Sequence, residues 1–298
     1  MKFLIIIPAH NEELSIKWCL QSLFRQTFRN FEVIIVNDGS SDKTKELVEN
    51  FIADKEKFKL IDLPKSVHEP GAKVVRTFNK GLEQTDVSAF DIICKFDADI
   101  IFPENYLAEI NRIFEQNPKA GMVSGLVRIA HKDYTVKFDD SLLSFSDEQN
   151  WVFENISSRN HVRGPVKSYR TKCFEEMNGL RPVLGWDNID VMLAKMKGWE
   201  VITIKNVWVK HLRPTAFKYK NEKARKLGVY FYNIGLSFPL AAVSSAKSAA
   251  KNGSLTEFFV SMNSYLSQKE PLQLSPEEIS HIRKLRWAEM FRKVSGKK

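Results

Sequence analysis

The stretch FEVIIVNDGSSDKTKELVENFI, Phe31 to Ile52, holds one complete folding unit. Phe31–Val36 is a near-continuous apolar run, short and rich in β-branched residues, which reads as a strand buried on both faces. NDGSSD stops it with turn chemistry, and Gly39 permits a tight turn. Ser41 or Asp42 then caps a helix whose apolar side carries Leu47, Val48, Phe51 and Ile52.

The same unit repeats on both sides. Upstream, Phe3–Ile7 is a strand; Asn11 is expected to cap a helix with Glu12 and Glu13 in its first turn and Leu14, Trp18, Leu20, Leu23 and Phe24 on its apolar side. Downstream come a strand at Phe58–Leu63, a helix at 72–83, a strand at Asp91–Phe96, and a helix opening at Pro103 and running toward Gln116. Alternating strands and helices predict a parallel sheet covered on both faces, with ligands bound at the carboxyl ends of the strands. The clusters PAHNEE, NDGSSD and DAD all fall at such ends. Farther on, residues 121–130 read as a strand, 131–160 as loop and helix facing a substrate, 185–199 as a helix and EVITIKN as another strand. After His211 the pattern is helical.

The 298 residues, 43% hydrophobic and 27% charged, suit a globular protein and exclude disordered and disulfide-rich classes. The scattered Cys19, Cys94 and Cys173 read as buried free thiols in a reducing compartment. The apolar run near Met1 stops at Pro8 with acidic residues following, so it reads as a strand rather than a signal peptide. The net charge of +9 is uneven: Arg213–Lys298 holds 16 basic and 6 acidic residues, leaving the remainder near neutral. Anionic partners are therefore expected at the C-terminal segment.

Asp97 and Asp99, in CKFDADIIFP, put two carboxylates at i and i+2 beside apolar residues. In extended geometry they share a side, and a divalent cation, Mn2+ or Mg2+, carrying a diphosphate would relieve their repulsion. A solvated turn would read the same way. Asp38 can accept an N–H from a nucleobase edge, or form an Asx turn. Lys73 and Arg76 could meet phosphates. Asp187, where Gly185 turns into a helix and Trp186 and Trp199 can shape a pocket, is the candidate general base; Asp190 shares roughly its helical face, or simply stabilises the helix start. His211 is a third metal ligand, a phosphate contact or a structural histidine.

Together, IIIPAHNEE (5–13), VIIVNDGSSDKT (33–44), KFDADIIFPENYL (95–107) and GLRPVLGWDNIDVMLAKMKGW (179–199) resemble a family 2 glycosyltransferase. The resemblance implies a GT-A fold: α/β, Rossmann-like, a mostly parallel central sheet with helices on both faces, over residues 1–212, with a basic helical extension at 213–298. It implies a nucleotide-sugar donor, UDP- or GDP-linked, a divalent metal, and a glycan or lipid-linked acceptor in polysaccharide, lipopolysaccharide or glycolipid assembly. Carried over by position, Pro8, Ala9, Asn11, Glu12 and Asp38 would line the nucleoside pocket, Asp97 would lie near ribose and metal, and Asp99 would hold the metal. Arg163 and Gly164 would line the donor and acceptor cleft with Trp186 and Asp190, Asp187 would be the base, and His211 would approach metal or phosphate. Trp186 stands where the family commonly has Glu. RKLRW (283–287) departs from the Gln-x-x-Arg-Trp of processive synthases, which implies transfer of one sugar by single displacement with inversion. The expected location is the cytoplasm, with the extension able to touch an anionic membrane surface.

Two other classes compete. A sugar nucleotidyltransferase would open with a glycine-rich signature, which PAHNEE lacks. A polyanion-binding protein would use Lys218, Lys220, Lys223, Arg225 and Lys226 beside Tyr219, Tyr230, Phe231 and Tyr232. For this segment a packed appendage ranks first, membrane contact second and nucleic acid last.

Overall fold

The computed structural model describes residues 1–65, 71–154, 158–213 and 220–294. β1 (Phe3–Ala9), α1 (Ile16–Phe24), β2 (Phe31–Asp38), α2 (Thr44–Ile52), β3 (Phe58–Leu63), α3 (Ala72–Glu83) and β4 (Ile92–Phe96) follow the alternating pattern. β1 lies between β2 and β4, with β3 outside β2, and all of these neighbours are parallel. Side chains alternate across β1. Phe3, Ile5 and Ile7 meet α1, α2 and α4 (Tyr106–Gln116), whereas Leu4 and Ile6 meet α3 on the other face.

Beyond β4 the sheet becomes mixed. β8 (Val166–Arg170) pairs antiparallel with β4, β6 (Ala120–Ala130) antiparallel with β8, and β9 (Glu200–His211) parallel with β6. β5 (Ile100–Ile101) and β7 (Trp151–Phe153) add short antiparallel pairings to β9 and β6. α5 (Thr171–Glu176) and α6 (Trp186–Met196) complete this half. Residues 131–150 form loop and two single 3-10 turns rather than a regular helix.

Three local expectations are corrected. α1 begins at Ile16 after Ser15, because Asn11 adopts a left-handed conformation (φ 56°) and stitches two turns together instead of capping. Its amide donates to Ser40 Oγ at 3.0 Å, and its Oδ1 accepts from the Ser41 amide at 2.8 Å. Leu14 is consequently exposed, and Ile16 and Cys19 fill the core face. Pro103 precedes α4 by a turn, accepting from the Tyr106 amide.

α7 (Lys220–Asn233), α8 (Phe238–Asn252), α9 (Leu255–Leu266) and α10 (Pro276–Val294) form the C-terminal extension. Phe231, Ile234, Leu240, Met262 and Ile282 join the same apolar cluster as Leu4 and Ile6, so the extension packs onto the sheet domain through a shared core. Among the described residues, no helix is long and apolar enough to cross a membrane.

Candidate active site

A cavity of about 520 Å³ opens at the carboxyl ends of β1, β2 and β4, a size suited to a nucleotide-bearing ligand. Pro8 and Ala9 end β1 and form part of its wall. Asp38 ends β2 almost fully buried. The Thr77 hydroxyl donates to its Oδ2 at 3.1 Å, Lys73 Nζ lies 3.3 Å from the same oxygen, and His10 Nδ1 donates to its carbonyl at 2.7 Å. α3 thus fixes this carboxylate from behind. Gly39 follows at φ 56°, where a Cβ would sit 2.3 Å from the Lys65 backbone, so the turn demands glycine.

Asp97 and Asp99 lie on a turn after β4, and the turn gives the two carboxylates different partners. Asp97 bonds to Lys95 Nζ, and its amide donates to the Pro165 carbonyl at 2.9 Å. Asp99 faces His211 Nε2 at 3.5 Å and Arg213 Nε at 3.3 Å, and Arg213 also bonds Glu12. Burial alone would raise the Asp99 pKa, but His211 and Arg213 hold it below the ordinary carboxylate value. Burial would lower that of His211, yet Asp99 and Glu154 outweigh it and push the imidazole up to about 9. Burial, with Asp99 adding, raises Glu12. Glu154 joins two parts of the site, accepting from Arg163 Nη2 at 2.7 Å and lying 3.3 Å from His211 Nδ1.

The opposite wall comes from the segment before β8 and the start of α6. Gly164 approaches closely: a Cβ there would lie 3.4 Å from the Trp186 ring and 3.6 Å from Asp187 Cβ. Asp187, half-buried, lines the cavity in the first turn of α6. Beneath it, Lys167 is fully buried and donates to the Asp187 carbonyl at 2.6 Å and to both Asp190 carboxylate oxygens at 2.7 Å. Tyr169 donates to Asp190 Oδ2 at 2.6 Å. Lys95 and Lys167, directly opposite on β4 and β8, approach the Trp186 ring centroid to 5.0 and 5.1 Å.

The cavity lining therefore brings together Pro8, Ala9, Glu12, Asp38, Lys73, Asp97, Asp99, Arg163, Gly164, Trp186 and Asp187. Other residues fall elsewhere. Asn11 belongs to the turn stitch. Asp190 is turned away from the cleft into the Lys167 and Tyr169 bonds, because three residues along α6 carry it to the sheet side. His211 is buried behind Asp99, and Arg76 lies exposed on α3. Arg163 directs its guanidinium to Glu154. Lys95, Lys167, Glu154, His10, Thr77 and Arg213 line or brace the cavity, although the sequence reading singles out none of them. The lysines carry a signal in hindsight: each interrupts an otherwise apolar strand, IICKF and VKSYR. In the basic and aromatic cluster, Lys218 and Tyr219 lie outside the described residues, as does the Lys220 side chain. Phe231 is buried and Tyr230 packs on Gly185, so these two rings are not offered for stacking.

A parallel half-sheet whose acidic strand ends face an acidic helix start across one cavity is the layout of an α/β protein that binds its ligand at the carboxyl ends of its strands. Residues 4–172 match Glycosyl transferase family 2, more than half of the chain, and the protein belongs to that family. The chain is 29% identical over 127 residues to a poly-beta-1,6-N-acetyl-D-glucosamine synthase of Staphylococcus epidermidis, a match covering 43% of this chain and 29% of that protein. It is 29% identical over 159 residues to the putative glycosyltransferase EpsH of Bacillus subtilis, covering 53% and 41%. The matches thus span less than half the length of these relatives. The fold is the GT-A fold. S. aureus TarS 1-349 in complex with UDP-GlcNAc superposes with TM-score 0.58 at 18% identity, covering 99% of this chain and 88% of that one. The mannosyltransferase PcManGT of Pyrobaculum calidifontis, in complex with GDP-Man and Mn2+, gives 0.57 at 17%, covering 100% and 88%.

Proposed function

We propose that the enzyme moves one sugar from a UDP- or GDP-linked donor to an acceptor hydroxyl, with inversion, in the assembly of a polysaccharide, lipopolysaccharide or glycolipid. One observation carries this reading: a single cavity is walled by Asp38, Asp97 and Asp99 on one side and by Asp187 on the other. Asp38, immobilised by Thr77 and Lys73, is suited to accept an N–H from the nucleobase. Asp187 accepts the proton of the acceptor hydroxyl; the acceptor oxygen bonds to the anomeric carbon, and the carbon–oxygen bond to the diphosphate breaks, its electron pair leaving with the nucleotide. Attack from the face opposite the leaving group inverts the centre.

Asp99, with Asp97 two residues before it on the cavity wall, offers carboxylate oxygens that fit a divalent cation. Among the described residues no group of three His, Cys, Asp or Glu could hold an ion, so Asp99 would share it with diphosphate oxygens and water, and His211 behind it would join only on losing its proton. Such an ion supplies charge neutralisation to the departing diphosphate. The enzyme works in the cytoplasm, where the buried free thiols Cys19, Cys94 and Cys173 stay reduced.

Asp187→Asn is the test. Transfer should fall about 1,000-fold while binding of nucleoside diphosphate with Mn2+, followed by thermal shift, stays at the wild-type level. Normal turnover by the variant would remove Asp187 from its role, and no stabilisation by any nucleotide would sink the donor assignment.

A further inference from the structure

The C-terminal extension exposes a surface the transferase site does not use. On α9, Leu255, Phe259 and Leu266 are 78%, 66% and 63% exposed. At i, i+4 and i+11 they fall within about 40° of one line along the helix. The opposite side of α9 is occupied, because Ser261 bonds Ser245 of α8 and Ser264 bonds the Arg225 carbonyl of α7. The stripe is therefore the helix's outward face. Scattered exposed apolar residues need no explanation, but three large ones aligned on one packed helix do.

The charge around the stripe is mainly positive, with exposed Glu270 beside Lys269 the exception. Between Lys223 and Lys269 the only acidic residue is Glu257, and it is buried, with its Oε2 accepting from Asn252 at 2.7 Å. Lys251 and Lys269 flank the two ends of α9, and Lys247 lies exposed on α8. None of these three has an acidic partner among the described residues. Pairing this face with a second copy would bring Lys247, Lys251 and Lys269 of each chain together, with Glu270 the one exposed carboxylate beside them. An anionic bilayer answers both features: its headgroups meet the lysines and its acyl boundary takes leucine and phenylalanine.

We infer that the α8–α9 hairpin is a peripheral docking surface for anionic lipid, with Leu255, Phe259 and Leu266 entering the interface and Lys247, Lys251 and Lys269 on the phosphates. The chain then sits on one leaflet.

Co-sedimentation of the full chain with vesicles of phosphatidylcholine alone, and with added phosphatidylglycerol, tests it. Binding is expected to the anionic vesicles and to weaken with salt. Leu255→Ser/Phe259→Ser/Leu266→Ser should bind about 100-fold more weakly. Lys247→Glu/Lys251→Glu should bind about tenfold more weakly. Both variants should keep wild-type melting and nucleotide binding, since the altered side chains are exposed and remote from the cavity. Undiminished binding by the serine variant overturns the inference. So does no vesicle binding by the wild type, including the case in which sedimentation velocity finds a dimer that the serine variant dissolves.

Discussion

Lys95 and Lys167 face each other across β4 and β8 at the same depth, yet they do different work. Lys95 holds Asp97, whose side chain is 29% exposed at the cavity mouth; Lys167 holds Asp190, which is 1% exposed and does not line that cavity. One pair stations a carboxylate where a ligand can reach it. The other ties the start of α6, and with it the Asp187 carbonyl, to the sheet. Buried charge near an active site is thus not uniformly catalytic, and what separates the two cases is whether the carboxylate still sees solvent.

Lys167→Met should break that comparison most severely. It strands the Asp190 carboxylate, and denaturant unfolding should register a loss of about 3–5 kcal/mol. Adding Asp190→Leu should restore most of it, because a matched apolar pair needs no counter-charge. Lys80 and Glu83 are also 2.7 Å apart but exposed, where such a pair contributes about 0.5 kcal/mol, so distance alone cannot account for a large effect. A Lys167→Met protein as stable as wild type would dissolve the distinction.

His211 extends the comparison to a buried cation between two carboxylates. Its pKa of about 9 in the fold stands above the 6.5 of the unfolded chain. Its stabilisation is complete below pH 6.5 and disappears as the pH rises through about 9. In metal-free protein the loss should be on the order of 3 kcal/mol. His211→Gln should flatten the unfolding free energy over this window, and an unchanged slope would refute the arrangement.

Lys95→Met should be milder in stability, about 1–2 kcal/mol, because water can solvate Asp97. Its larger signature should be kinetic: about a tenfold rise in donor KM with a smaller change in kcat. Equal stability losses for Lys95→Met and Lys167→Met would mean that solvent access does not divide the pairs.

The parallel half of the fold was legible because periodicity and turn chemistry agree there: β3 and α3 occupy the ranges the pattern predicts. Asp38, Asp97, Asp99 and Asp187 were legible because each follows a strand or opens a helix. Asp190 misled because spacing along a helix assigns a face without saying which neighbour lies against it. Asn11 misled because its side chain can serve a turn as readily as a cap. His211 meets Glu154 across 57 residues, and Arg163 reaches the same carboxylate from nine residues on in a non-repetitive segment, so no local periodicity announces the cluster.

Gly185 has a consequence for where this enzyme can be cut. It turns at φ 97°, and a Cβ there would lie 2.3 Å from the Tyr230 ring; Asn233 Nδ2 donates to the Leu184 carbonyl at 3.0 Å, and Arg286 donates to the Tyr230 hydroxyl at 2.9 Å. The turn that presents Asp187 is thus shimmed from behind by helices carrying none of the family motifs. A fragment trimmed at the last motif would keep every signature residue and lose the wedge behind Asp187, so the recognisable unit is smaller than the one that holds the cavity wall in place.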